Sequence, residues 1–160
     1  MGRVAFLVVA ILLCWPTQAY AADVIGRASV IDGDTIEIHG QRIRLFGIDA
    51  PEAGQTCTIG GRSYRCGQEA ALALSEFIGQ QPVACEQRDV DRYGRIVAVC
   101  RLGGEDVGAW MVSRGWALAY SRYSHDYFDE ELTARANKRG IWRGTFVRPW
   151  LWRQRGANAA

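Results

Sequence analysis

The sequence predicts an α+β fold, a five-stranded β-barrel capped by about three helices. Two pairs of strand-type runs flank the turn candidates Gly40-Gln41 and Asp91-Arg92-Tyr93-Gly94. A further strand precedes them, and helical patterns follow the third and the fifth strand. Short strands and few helices in that order suggest a small barrel with helical caps.

The first 21 residues read as a cleaved leader rather than part of the fold. Arg3 is a short positive region, Val4 to Cys14 is an apolar run too short to span a bilayer, and Ala19-Tyr20-Ala21 fits a small-x-small cleavage site. Cys14 raises a lipoprotein reading, but Leu12 and Leu13 are not the small residues expected before such a cysteine. The chain beyond residue 21 is expected to be exported, free of the membrane once processed, and monomeric. It is long enough for one domain, residues 22–142, followed by a Trp- and Arg-rich tail, 143–160. The net charge of the whole sequence is only +2, so bulk charge does not announce a polyanion partner. Of its 19 basic residues only Lys138 is a lysine, and arginine is the residue for bidentate phosphate contacts.

Four cysteines follow the leader, an even number that in an exported chain reads as two disulfides. Zinc is disfavoured, because C-x-x-C is absent and His39 and His125 are isolated. Of the three connectivities, Cys57–Cys66 closes a loop and Cys85–Cys100 crosses the second hairpin; these two are expected.

Taken in order, Asp23 to Ile31 is a weakly amphipathic first strand. Thr35 to His39 and Arg42 to Ile48 pair across Gly40-Gln41, placing Ile38 opposite Ile43, Ile36 opposite Leu45 and Glu37 opposite Arg44. Ala53 to Arg65 reads as a loop, and Gly67 to Gly79 as a helix with a glycine stop. Pro82 to Arg88 and Arg95 to Arg101 form the second hairpin, with Cys85 opposite Cys100; a glycine bulge at Gly94 would shift that register and forbid the bridge. Asp106 to Ser113 is a short helix, Trp116 to Tyr120 is extended, and Phe128 to Arg139 is a third helix stopped by Gly140. The tail holds Trp142, Trp150 and Trp152, too aromatic for a free linker, so it should pack back; Gly156 to Ala160 should be frayed.

The first hairpin gathers acids. In the expected register Asp34 lies opposite Gly47, with Asp49 two residues on and Glu52 near by. Carboxylates this close repel unless a cation or a proton lies between them. Oxygen donors without His or Cys select a hard ion, Ca²⁺ or Mg²⁺. An EF-hand is excluded, since Ile43 stands at the twelfth position counted from Asp32. Each piece also has a plain structural reading: Asp-Gly is a common turn, Arg44 and Glu37 would make a cross-strand ion pair, and Asp91 to Arg95 is a turn.

As a set they are more specific. Asp32-Gly33-Asp34-Thr35, Arg44-Leu45-x-x-x-Asp49-x-Pro51-Glu52 and Asp91-Arg92-Tyr93-Gly94-Arg95 resemble, in order and spacing, the motifs of the staphylococcal-type thermonuclease family. Arg114-Gly115-Trp116-Ala117 and Gly140-Ile141-Trp142 also resemble that family, so the resemblance runs from about Val24 to Trp142, most of the chain beyond the leader. It implies an OB-fold barrel and Ca²⁺-dependent hydrolysis of phosphodiester bonds in DNA and RNA, preferably single-stranded. By that match Asp34, Asp49 and the backbone carbonyl of Ala50 hold the ion, with Asp32 close by. Arg44 and Arg95 contact the scissile phosphate, Glu52 is the general base, and Arg92, Tyr93 and Tyr120 contact the nucleotide. Ala50 stands where the family usually has Thr.

One geometric demand follows. Five residues separate Arg44 from Asp49, so an unbroken strand would point them to opposite faces. Both can face one phosphate only if the backbone is irregular, with Gly47 the expected place. The alternative to an enzyme is a non-catalytic OB module binding single-stranded nucleic acid or another polyanion. A third reading is a structural Ca²⁺ site, which would need neither Glu52 nor two arginines.

Overall fold

The computed structural model describes residues 23–122 and 124–157; the expected leader, 1–21, lies outside the described residues. Its strands are β1 (Val24–Asp32), β2 (Thr35–Ile38), β3 (Gln41–Leu45), β4 (Ile48–Asp49), β5 (Cys57–Ile59), β6 (Arg62–Tyr64), β7 (Pro82–Val90), β8 (Ile96–Leu102), β9 (Glu105–Asp106) and β10 (Leu118–Ala119). Its helices are α1 (Cys66–Ile78), α2 (Val107–Ser113), α3 (Phe128–Ala136) and α4 (Pro149–Ala157), with a 3₁₀ turn over Gly140–Arg143. Strands β3-β2-β1-β7-β8 are neighbours in that order, and β8 returns parallel to β3 to close a five-stranded barrel. The predicted barrel is therefore present, with four helices among the described residues rather than about three.

The barrel is filled by the inward residues of alternating strands. Ile36, Ile38, Ile43, Leu45, Val83 and Ala98 are buried together with Ala70, Leu74 and Ile78 of α1 and Met111 of α2. The α1 residues recur at every fourth position, one helical stripe facing one core. Asp106 caps α2 by accepting from Ala109 N at 3.0 Å.

The first hairpin corrects the expected register. Its turn is His39-Gly40, both with positive φ (53° and 77°), which suits a two-residue hairpin loop. Ile36 therefore faces Ile43, Ile38 faces Gln41, and Glu37 faces Arg42, with an ion pair at 3.8 Å. The shift is two residues, so every side chain keeps its face while its partner changes. Arg44 does not pair with Glu37, and Asp34 is not opposite Gly47: the Asp34 carbonyl accepts from Leu45 N at 2.8 Å.

The second hairpin carries two offsets that cancel. Near the turn, Val90 faces Ile96 and Asp89 faces Val97, and Gly94 has the positive φ of 77° that threatened the bridge. A bulge between Gln87 and Asp89 then restores the other register, so Cys85 faces Cys100 and the two are bonded, Cα to Cα 4.0 Å. Cys57–Cys66 is also bonded, as expected.

Residues 53–65 are not a plain loop: β5 and β6 form a hairpin inside it. α3 is shorter than expected, because Asn137 caps it and Lys138 takes a φ of 50°. The tail does pack back. Thr145 pairs with Thr58, Pro149 is buried and Trp150 stacks on Tyr120 at 5.4 Å between ring centroids. Gly156 belongs to α4 rather than to a frayed end, and 158–160 lie outside the described residues.

Candidate active site

The site forms where the first hairpin stops being regular. β3 ends at Leu45, Phe46 N donates to the Ala98 carbonyl at 2.9 Å, and Gly47 takes a φ of 72°. A Cβ at Gly47 would lie 2.9 Å from the Tyr127 ring, so both conformation and space demand glycine. Beyond it the chain leaves the barrel sheet and pairs as β4 with β10, Asp49 facing Leu118. This is the irregular backbone that the spacing of Arg44 and Asp49 required, at the residue expected.

Freed of Glu37, Arg44 spans the gap. Its Nη1 donates to Asp34 Oδ1 at 2.7 Å and its Nη2 to Asp49 Oδ1 at 2.8 Å. Asp34 is further held by Thr35 Oγ1 on Oδ1 and by Ala50 N on Oδ2, at 3.1 and 3.0 Å. Asp32 accepts from Asp34 N at 3.0 Å, which closes the turn before β2. Three of the expected site residues, Asp34, Arg44 and Asp49, are thus in direct contact, with Ala50 and Asp32 bound to Asp34.

Glu52 joins them through a residue the sequence reading did not single out. Arg153 of α4 donates from Nη1 to Glu52 Oε1 at 2.6 Å and to Asp49 Oδ1 at 3.0 Å, and from Nη2 to Asp49 Oδ2 at 2.8 Å. The Glu52 backbone is fixed by Gln55, whose Oε1 accepts from Glu52 N at 3.2 Å and whose Nε2 donates to the Val147 carbonyl at 2.6 Å. The start of α1 packs against the same loop so closely that a Cβ at Gly67 would lie 1.7 Å from the Glu52 carbonyl oxygen. Cys66, next to Gly67, is the residue the disulfide ties to β5.

Arg95 does not reach this cluster. The parallel ladder sets Arg44 against Val97, so Arg95 shares Arg44's face of the sheet. Its guanidinium is held by Asp91, Nε to Oδ2 2.7 Å, and lies 5.6 Å from the centre of the Tyr93 ring. Arg92 packs on the same ring at 4.8 Å and donates to the Tyr93 hydroxyl at 2.7 Å. Tyr93 is exposed, so this loop offers two guanidiniums around one aromatic face. Tyr120 sits after β10, its backbone N bonded to the Gly47 carbonyl at 2.8 Å and its ring under Trp150. Buried Glu131 fixes β10 by accepting from Ala119 N at 2.8 Å.

The electrostatics follow from packing acids out of water. Burial first, then the Asp34 charge, push Asp32 up to about 6. Burial also pushes the Asp49 carboxyl up, against the hydrogen bonds from Arg153. Burial disfavours the charged Arg44 and Arg153, yet their carboxylate partners outweigh it and hold both above the usual arginine range. These directions oppose one another across the same bonds. Three charge-assisted contacts on two oxygens decide for Asp49 as a carboxylate at neutral pH.

The donor set fits a hard cation: oxygens only, with no nitrogen or sulfur ligand. Among the described residues no three or more His, Cys, Asp and Glu side chains converge in a metal-holding group. The protein would contribute Asp34, Asp49 and the Ala50 carbonyl, leaving other ligand positions to water or substrate oxygens.

Comparison with known proteins decides the family. The model described as "Staphylococcal nuclease homologue" matches residues 42–144. The chain belongs to the staphylococcal nuclease family. Among its relatives is "Succinoglycan biosynthesis protein ExoI" of Rhizobium meliloti, 44% identical, covering 85% of this chain and 73% of the relative. "Micrococcal nuclease" of Shigella flexneri is 32% identical over 81% and 80% of the two chains. An "Uncharacterized endonuclease" of Escherichia coli is 36% identical over 90% and 93%. The nuclease-family match contains Arg44, Asp49, Glu52 and Arg95; Arg153 lies beyond its end. Only the Arg-rich, aromatic composition of the tail hinted at that residue, since no spacing links it to Asp49.

Proposed function

We propose that the protein is an exported, monomeric, Ca²⁺-dependent nuclease that hydrolyses phosphodiester bonds of DNA and RNA, preferably single-stranded, with little sequence specificity. The observation that carries this reading is the Arg44 guanidinium bridging two buried carboxylates, Asp34 and Asp49, beside Glu52. A structural ion site would need no arginine at its centre. A polyanion-binding module would have no use for buried acids that repel its ligand.

Asp34, Asp49 and the Ala50 carbonyl would hold the ion; Mg²⁺ suits the same oxygens. When bound, the ion neutralises charge that develops on the phosphate oxygens during attack. Arg44, turned from its carboxylates toward the phosphate, and Arg95, released from Asp91, stabilise the same charge from the protein side. Glu52 takes a proton from the attacking water, a step typically worth about 10²–10⁴-fold in rate. Arg92, Tyr93 and Tyr120 give stacking and backbone contacts that do not distinguish bases, hence the low specificity. Two disulfides support passage to an oxidising compartment. Among the described residues no helix is long and apolar enough to cross a membrane.

The test is degradation of single-stranded DNA and of RNA by the disulfide-bonded protein with Ca²⁺, with chelator, and with Glu52→Gln. Wild type should cleave only with the ion, and E52Q should fall by at least about 10²-fold. Equal inertness of both proteins with intact single-strand binding would replace the enzyme by a binding module.

A further inference from the structure

We propose that α4 is a strap in which Arg153 occupies the ion site as a tethered competitor, so that a divalent cation must displace it before the enzyme can act. The inference rests on the ion site of the proposed function and adds to it a control by the protein's own tail.

Asp49 Oδ2 accepts from Arg153, and Oδ1 accepts from Arg153 and from Arg44. Glu52 Oε1 accepts from the same Arg153 nitrogen. A divalent ion on Asp49 would sit about 2.3–2.6 Å from its oxygens. The bidentate guanidinium already covers both oxygens with a like charge, so ion and Arg153 exclude each other on this carboxylate. The same group also occupies Glu52 Oε1, in an ion pair at 2.6 Å.

The strap is built to be released. Leu151, Gln154, Arg155 and Gly156 of α4 are exposed, and Arg153 itself is 38% exposed at its side chain. The helix is anchored chiefly at its start, where Pro149 is buried, Trp150 lies on Tyr120, and Gln55 holds the preceding Val147. The anchor bears on the same catalytic loop, because Gln55 also bonds Glu52 N. Trp150 meanwhile covers one face of Tyr120, a proposed nucleotide contact. Lifting α4 would thus open the ion site, the base and a stacking surface in one motion.

Removing a competitor raises apparent affinity by the factor with which it held the closed state. Ca²⁺ binding is measured by calorimetry on the disulfide-bonded wild type, on Arg153→Ala and on Asp49→Asn, each checked for folding by thermal melting. R153A should bind Ca²⁺ on the order of tenfold more tightly than wild type, and D49N should lose binding. Independently of any variant, amide exchange in 149–157 of the wild type should accelerate when Ca²⁺ is added. Equal or weaker Ca²⁺ affinity in R153A, or unchanged exchange in α4 at saturating Ca²⁺, would overturn the strap while leaving the ion site intact. Failure of both wild type and R153A to bind Ca²⁺ would remove the ion site, and the strap with it.

Discussion

At the scale of single residues, Arg44 is the side chain on which the site depends. Among the described residues it is the one side chain bonded to both Asp34 and Asp49, and it is itself only 18% exposed. Removing it leaves two buried carboxylates in each other's field, with Arg153 as the remaining cation on Asp49. Breaking such a buried pair is worth about 3 kcal/mol or more. Arg44→Ala should therefore lower the free energy of unfolding by about 3 kcal/mol in chelator, with part of the loss restored by Ca²⁺. Denaturant melts in both conditions measure this; equal destabilisation with and without the ion would argue against Asp34 and Asp49 as its ligands. The importance of Arg44 was legible in the sequence, but its partners were not. A turn placed one residue too far along shifted the pairing by two and set it against Glu37, since parity fixes only which face a side chain takes. Arg153 was illegible for another reason: a contact across roughly a hundred residues leaves no trace in spacing.

Elements show where local rules suffice and where they need help. The strand break at Gly47 was deducible because two residue types with one purpose stood five apart. Its cause, the switch of β4 to a β10 partner, was not, because two-residue strands carry no periodicity. The second hairpin hid a bulge at Arg88 whose only effect is to undo the offset of Gly94, and no sequence pattern announces such a cancellation. The loop of this hairpin makes a pH prediction. Slight burial pushes the Asp91 carboxyl up, but the Arg95 side chain and the backbone N–H groups of Arg95 and Tyr93 outweigh it and hold it below the usual carboxylate range. A carboxyl depressed in the folded state stabilises at pH above its unfolded value, about 4, and the contribution is lost as pH falls through the folded value. Asp91→Asn should therefore lower the melting temperature at pH 7 and approach the wild type below about pH 3. A constant difference across that range would mean that Asp91 acts by shape, not by charge.

Over the whole molecule, the barrel was legible because its strands alternate and its helix α1 repeats at four-residue intervals, both direct consequences of a one-sided core. The way the tail completes the site was not legible, because α4 has little amphipathic pattern and rests on a few specific contacts. The two disulfides connect these levels, and they should separate stability from function. Their sequence separations are 9 and 15 residues, so the loop-entropy cost of losing either is similar, about 3 kcal/mol. Their positions are not equivalent. Cys85–Cys100 joins β7 to β8 within the barrel wall, where the ladder already fixes the geometry. Cys57–Cys66 ties β5, the strand that pairs with the tail at Thr145, to the start of α1 beside Gly67 and the Glu52 carbonyl. Replacing each pair by serines should lower the denaturation midpoint by comparable amounts. At a temperature where both variants remain folded, only loss of Cys57–Cys66 should reduce turnover, because only that bridge holds the loop carrying Glu52. Equal falls in turnover would mean that the barrel wall, not the β5–α1 tie, sets the position of Glu52.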